Sequence, residues 1–172
     1  MLIRECRLLR IGITGVPGTG KTALAAQIAK KLQLPLIKDQ ARQVAEVLGV
    51  NLKTLRSGNQ ETLEFQKAVL MSQLAAEEMY GTFVTDSTTI DYLAYWRLLG
   101  GENDGKNEIY RKWCLEKANY SLLVYLPSAC SDESSARLEK EIMLTLEEAK
   151  KPFIMACGSL EDRLNFVLSA IT

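Results

Sequence analysis

The sequence predicts an α/β fold, a five-stranded parallel sheet covered by helices on both faces. Three observations carry this. Short apolar, β-branched runs alternate with longer segments of helical period along the whole chain. A helical segment separates each strand from the next, which parallel pairing requires. A glycine-rich stretch divides the first strand from the first helix.

The first strand is Leu-Leu-Arg-Ile-Gly-Ile-Thr, residues 8–14. The helix at 21–32 repeats Leu24, Ile28 and Leu32 on one face, with Ala25 and Ala29 beside them. Gln33 and Pro35 end it, and residues 34–38 form a second short strand. Asp39 can cap the next helix, which runs through Val44 and Leu48 to Gly49. Residues 51–59 read as loop. The longest periodic segment is 60–80, with Leu63, Val69, Leu70, Leu74 and Met79 on a broad apolar face and Phe65 and Ala68 at its edge. Residues 82–85 are β-branched and aromatic, a strand. Helices follow at 90–99 and 107–119, a strand at 121–126 closed by Pro127, a charged helix at 132–150, a strand at 153–156 and a closing helix at 160–171. The apolar face of that last helix is Leu164, Val167, Leu168 and Ile171.

At 172 residues, 47% hydrophobic and 24% charged, the chain has ordinary globular composition and reads as one domain, residues 1–172. Lys+Arg and Asp+Glu are 21 each, so the formal net charge is zero, against a strongly basic nucleic-acid binder. No apolar run approaches the ~20 residues that span a bilayer. The charged start, Met-Leu-Ile-Arg-Glu-Cys-Arg, does not read as a signal peptide, so a cytoplasmic location is expected. Histidine is absent, which removes Ser-His-Asp and Cys-His catalysis. The four cysteines, Cys6, Cys114, Cys130 and Cys157, form no CxxC pair and are expected as buried free thiols.

Gly15-Val16-Pro17-Gly18-Thr19-Gly20-Lys21-Thr22 matches GxxxxGK[ST], directly after a strand and before an amphipathic helix. Such a loop turns its amides toward phosphate oxygens, and the helix N-terminus adds partial positive charge. Lys21 suits the β- and γ-phosphates and Thr22 suits Mg²⁺. Asp86 ends the 82–85 strand, at the carboxyl edge where ligands bind in open α/β sheets. It fits a metal or substrate ligand, or a helix cap, though Ser87, Thr88 and Thr89 are better placed to cap. Asp39 and Arg42 share one helical face at another strand end. They fit a general base and a substrate-holding cation, or an N-cap and an exposed arginine. Arg137 fits a transition-state cation or a solvated helix face. Gly158 and Arg163 follow the last strand and can pack on a purine, while Ser159 can cap the last helix. Lys53 and Arg56 suit an acceptor that carries phosphate, and Gln66 suits a neutral, hydroxyl-rich one. The mixed set favours the neutral acceptor.

With these residues laid out, the chain resembles the P-loop kinase group of nucleoside and nucleotide kinases. More narrowly, it is similar to the small ATPase/kinase-like domains related to the ribosylnicotinamide kinase portion of NadR proteins. Asp39-Gln-Ala-Arg42 resembles their acidic-x-Ala-Arg element. Phe83-Val-Thr-Asp86-Ser-Thr-Thr89 resembles their hydrophobic-Asp-Thr element, followed by an aromatic helix, here Tyr92, Tyr95 and Trp96. Ile154-Met-Ala-Cys-Gly158 with Arg163 resembles their last strand. The resemblance implies a three-layer α/β/α P-loop sandwich with strand order 2-3-1-4-5 and a hydroxyl-bearing substrate between the Asp39 and Asp86 regions. It implies Mg²⁺ and ATP, and transfer of the γ-phosphoryl group. One departure stands out. The relatives' arginine-rich lid falls at residues 127–137, which hold one arginine, Arg137. No strand ends in the paired acids of a full AAA+ motor. The Asn-Lys-x-Asp element of GTPases is absent, which favours ATP. The expected partners are a nucleotide and a small-molecule substrate, with no nucleic acid and no membrane. Homo-oligomerisation stays open, as does a nucleotide-dependent switch with weak ATPase activity.

Overall fold

The structure is a computed structural model and describes residues 8–57, 59–101, 107–129 and 132–171. Strands β1 (Arg10–Thr14), β2 (Leu36–Ile37), β3 (Phe83–Thr85), β4 (Leu122–Tyr125) and β5 (Phe153–Met155) form one sheet in the order β2-β3-β1-β4-β5. Every neighbouring pair is parallel, with Gly12 opposite Thr85 on one side and Leu123 on the other. The helices are α1 (Lys21–Leu32), α2 (Gln40–Leu48), α3 (Gln60–Tyr80), α4 (Thr89–Leu98), α5 (Asn107–Glu116), α6 (Glu133–Ala149) and α7 (Leu160–Ser169), with a 3₁₀ turn at Thr54–Ser57. The expected three-layer sandwich and strand order are both present.

The alternation of side chains along each strand divides the core. Ile11, Ile13, Val84, Val124 and Leu126 pack with Leu24, Ala25 and Ile28 of α1 and Val167 of α7. On the other face Leu123 and Tyr125 pack with Ile90 and Ala94 of α4 and Leu138, Ile142 and Leu146 of α6. A third cluster joins α2, α3, α4 and α5 around Phe65, Val69, Leu70, Leu93 and Trp96, whose ring stacks on Tyr110 with centroids 4.0 Å apart. Arg97 and Arg111 both pair with Glu148, which ties α4 and α5 to α6.

Two expectations change. Met79 is 71% exposed rather than on the core face of α3. The buried stripe of that helix continues instead through Gln73 and Glu77, because the strand end it meets is polar. Cys157 is exposed, since the chain leaves the sheet beyond edge strand β5, whereas Cys114 is buried and free as expected. Cys6 and Cys130 lie outside the described residues.

Gly12 sets how closely α4 approaches the sheet. A Cβ at this position would lie 2.8 Å from Thr88 Cγ2 and 3.0 Å from the Tyr120 ring. Thr88 is fully buried and begins α4, so neither neighbour has room to give. Gly12→Ala is therefore expected to destabilise the fold by about 1–3 kcal/mol, the usual cost of overpacking. Urea denaturation checks it, and an unchanged midpoint would show that α4 is not held at this distance.

Candidate active site

The carboxyl ends of β1, β2 and β3 lie side by side, and the loop after each carries one part of the site. After β1 the backbone passes through positive φ at Gly15, Gly18 and Gly20. Gly15 cannot be replaced freely, since a Cβ there would stand 2.6 Å from the Leu126 carbonyl oxygen. Lys21 folds back over the loop, its Nζ donating to the carbonyls of Gly15 (2.5 Å) and Val16 (3.0 Å). Helix α1 then starts with no side-chain cap and no acidic residue in its first turn. By contrast, side chains cap α2, α3, α4, α6 and α7. No side chain offsets the positive end of the α1 dipole in its first turn, an arrangement that can receive an anion.

Asp86 follows β3. Because β3 pairs with β1, its carboxylate meets the start of α1, and Thr22 Oγ1 donates to Asp86 Oδ2 at 2.9 Å. Asp86 is 3% exposed, and its other oxygen, Oδ1, is buried with no hydrogen-bond partner. Burial raises its pKa above the usual carboxylate value, with Asp39 and Asp91 adding to the rise and the Thr22 bond and Lys21 opposing it. A buried carboxylate oxygen without a donor, beside a hydroxyl, suits a hard divalent cation.

Asp39 follows β2 and is the N-cap of α2. Oδ1 caps α2 by accepting from the Ala41 amide at 3.0 Å, while Oδ2 lies 3.9 Å from Nε of Arg42, an exposed and weak pair. The three strand ends open on a cavity of about 670 Å³. Gly15, Pro17, Gly18, Gly20, Lys21, Thr22, Asp39, Arg42, Gln66 and Asp86 all line it, with Leu52, Leu55, Phe65, Tyr92, Tyr95 and Leu99 as an apolar and aromatic wall.

Other expected residues stand elsewhere. Arg137 is on the exposed face of α6, paired with Glu133 at 2.5 Å rather than set over the cavity. Lys53 is exposed and does not line it, and the side chain of Arg56 lies outside the described residues. Thr19 holds the loop from within, its Oγ1 donating to the Val16 carbonyl. Arg163 Nη1 donates to the Thr19 carbonyl at 2.6 Å, so this residue braces the loop from α7. Gly158 takes φ +91 in the turn before α7, whose cap is Ser159. Thr88 is the cap chosen for α4.

Four functional candidates were not found by sequence reasoning. Asp91, which also lines the cavity, accepts from the Gly15 amide, so in this structure that amide is paired within the protein. Its signal in the sequence was the Thr88-x-x-Asp91 capping-box spacing. Gln73, Glu77 and Tyr120 form a buried network. Gln73 accepts from the Tyr92 hydroxyl and donates to Thr85 Oγ1 and to Glu77, and the Tyr120 hydroxyl donates to Glu77 at 2.7 Å. It fixes the rear of Tyr92, whose ring lines the cavity. Polar residues on the inward face of an apolar helix gave no periodic signal.

Burial raises the pKa of Glu77 above its usual 4.5, against the bonds from Gln73 and Tyr120 and the charge of Arg10. A carboxyl raised on folding gives stability that is full below its unfolded pKa and is lost as pH rises through the folded one. Glu77→Gln can still accept from both neighbours and does not ionise. We expect the variant to gain stability relative to wild type as pH rises from about 4 to 8, with little difference at the acid end. Denaturant titrations across this range check it, and a difference that does not change with pH would contradict it.

A family model described as an AAA domain matches residues 10–163. No curated protein matches the sequence. Among solved structures, deoxyadenosine kinase from M. mycoides with the products dCMP and dCDP superposes with a TM-score of 0.73 at 14% identity, over 95% of this chain and 98% of that one. A NadR protein in complex with NAD and AMP-PNP gives 0.76 at 17% identity, over 95% of this chain and 48% of that one. Shikimate kinase from Acinetobacter baumannii with shikimate gives 0.58 at 14% identity, over 96% and 93%. At these identities the likeness is one of fold. The family model covers most of the chain, and the chain belongs to the family it describes, the AAA domain matched over residues 10–163.

Proposed function

We propose that the protein binds ATP at the 15–22 loop and transfers its γ-phosphoryl group to a hydroxyl of a small, neutral, nucleoside-like acceptor. The observation that carries this reading is a single cavity lined both by Lys21, Thr22 and Asp86 and by Asp39, Arg42 and Gln66. Phosphoryl transfer asks little covalent chemistry of a protein. It asks for positioning and for charge opposite the phosphates. The uncapped start of α1 and Lys21 supply that charge. Thr22 and Asp86 are the residues that would hold Mg²⁺, and the unpartnered Oδ1 of Asp86 fits the ion. When bound, Mg²⁺ supplies positive charge to the β- and γ-phosphate oxygens.

Asp39 then accepts the proton of the acceptor hydroxyl. The hydroxyl oxygen forms a bond to the γ-phosphorus, the bond from that phosphorus to the bridging oxygen breaks, and ADP leaves. Arg42 orients the acceptor or the transferred group. Phe65, Tyr92 and Tyr95 offer flat apolar surface to a base, and Gln66 offers an amide to its polar edge. Exclusion of Lys53 from the cavity lining favours a neutral acceptor over one that already carries phosphate. The kinases of similar fold, for deoxyadenosine and shikimate, also point to small hydroxyl compounds.

A panel of nucleosides, nucleotides and ribosylnicotinamide, assayed for ADP release, tests the reading. We expect a neutral nucleoside-like compound to raise ADP release well above the intrinsic rate. Asp39→Asn should lower kcat by about 10²–10⁴-fold while nucleotide affinity is retained, as expected of a general base. Lys21→Ala should weaken Mg·ATP binding or turnover severely, because no other cation lines the loop side of the cavity among the described residues. If no compound raises ADP release, the kinase reading fails. Arg137, turned to the surface, would then favour the nucleotide-dependent switch, and binding of a partner in only the ATP or ADP state would identify it.

A further inference from the structure

Asp91 joins the phosphate loop to the wall of the cavity. It is 3% exposed, and both its oxygens are engaged twice. Oδ1 accepts from Thr14 Oγ1 at 2.8 Å and from the Gly15 amide at 3.1 Å, at the junction of β1 and the loop. Oδ2 accepts from the Thr88 amide at 2.7 Å and from Thr88 Oγ1 at 2.8 Å, at the start of α4. The next residue, Tyr92, and Tyr95 one turn on put their rings on the cavity. One side chain therefore fixes the loop and the acceptor wall against each other.

A helix cap alone would not need this arrangement. Capping occupies Oδ2 only, and the box is complete without Thr14 or Gly15. The second oxygen is spent on the loop. Gly15 is thereby held from two sides, its amide by Asp91 and its carbonyl by Lys21. The plane of the Gly15–Val16 end of the loop, and with it the seat of the Lys21 ammonium, depends on that pair of contacts. Hydrogen bonds to a charged group are among the stronger ones, and leaving such donors unpaired in a buried site is costly.

We infer that Asp91 is a positioning residue: it borders the cavity, but with both oxygens engaged by the protein it acts by setting the phosphate loop and the Tyr92–Tyr95 wall in one fixed relation. The inference rests on reading residues 15–22 as the nucleotide site. Three variants separate its two halves. Thr14→Val removes a loop-side partner, Thr88→Ala removes the cap-side hydroxyl, and Asp91→Asn weakens both. Three quantities are read for each: melting temperature, affinity for Mg·AMP-PNP by calorimetry, and hydrogen exchange of residues 15–22 in the protein without nucleotide.

Asp91→Asn and Thr14→Val are expected to weaken AMP-PNP binding about tenfold and to speed exchange in the loop, in line with loss of a charge-assisted bond. Thr88→Ala is expected to lower the melting temperature at least as much, with affinity within about twofold of wild type. Thr14→Ser should restore both affinity and slow exchange. Should Asp91→Asn fail to fold, Thr14→Val still decides. Loop exchange unchanged in Thr14→Val, or affinity lost equally in Thr88→Ala and Thr14→Val, would overturn the inference and leave Asp91 a helix cap. A wild-type protein that does not bind AMP-PNP, with loop exchange still faster in Thr14→Val, would overturn the nucleotide reading and uphold the role of Asp91.

Discussion

The site depends on the parallel pairing of β1 with β3. These strands are not consecutive in the chain, and β2 is displaced to the edge by their contact. The pairing sets Gly12 opposite Thr85, so the residue after β3 arrives at the first turn of α1. The Thr22–Asp86 bond follows from that register, and so does the burial that raises the Asp86 pKa. Had β2 paired with β1, Asp39 rather than Asp86 would stand beside Thr22, and the two aspartates would exchange surroundings. A fully parallel sheet also requires its faces to be covered, which consumes most of the apolar residues in the helices.

The cavity separates two kinds of demand. Around the 15–22 loop the surroundings are polar, with donors supplied by backbone and by Lys21. Across from it the lining is aromatic and apolar, with single polar groups from Gln66, Arg42 and Asp39. That is the usual make-up of a small-molecule site, where a few placed polar groups fix orientation and apolar area supplies affinity. The polar network behind Tyr92 adds rigidity without reaching the ligand. Its cost is a buried carboxyl, Glu77, satisfied by two neighbours and still held above its ordinary pKa.

Most of the architecture was legible in the sequence because it rests on local period and on strong punctuation. Among the described residues the five strands and seven helices fall where the apolar spacing puts them, with α1 and α3 matching residue for residue. The glycine loop and the strand-end aspartates were legible for the same reason, since position at a strand end is a one-dimensional property. Contacts between distant residues were not. Asp91 carries only the Thr88-x-x-Asp91 capping-box spacing in the sequence, and its bonds to Thr14 and Gly15 span 77 and 76 positions. Gln73 and Glu77 fall on the buried face by helical period, but they are polar, so a search for apolar spacing passes over them. Arg163 is legible as a cation near the last strand, but its hold on Thr19 needs the packing of α7 on α1. Arg137 misleads because a charged helix face looks alike in sequence whether it faces a ligand or water.

The central claim is that one cavity carries nucleotide and acceptor with Asp86 between them and the loop. A crystal structure with Mg²⁺ and AMP-PNP tests it most directly. The account predicts the triphosphate on the amides at the start of α1, with the metal held by Thr22 and Asp86 and the γ-phosphate facing Asp39 across the cavity. A nucleotide bound with its phosphates away from α1, or a metal held without Asp86, would contradict it.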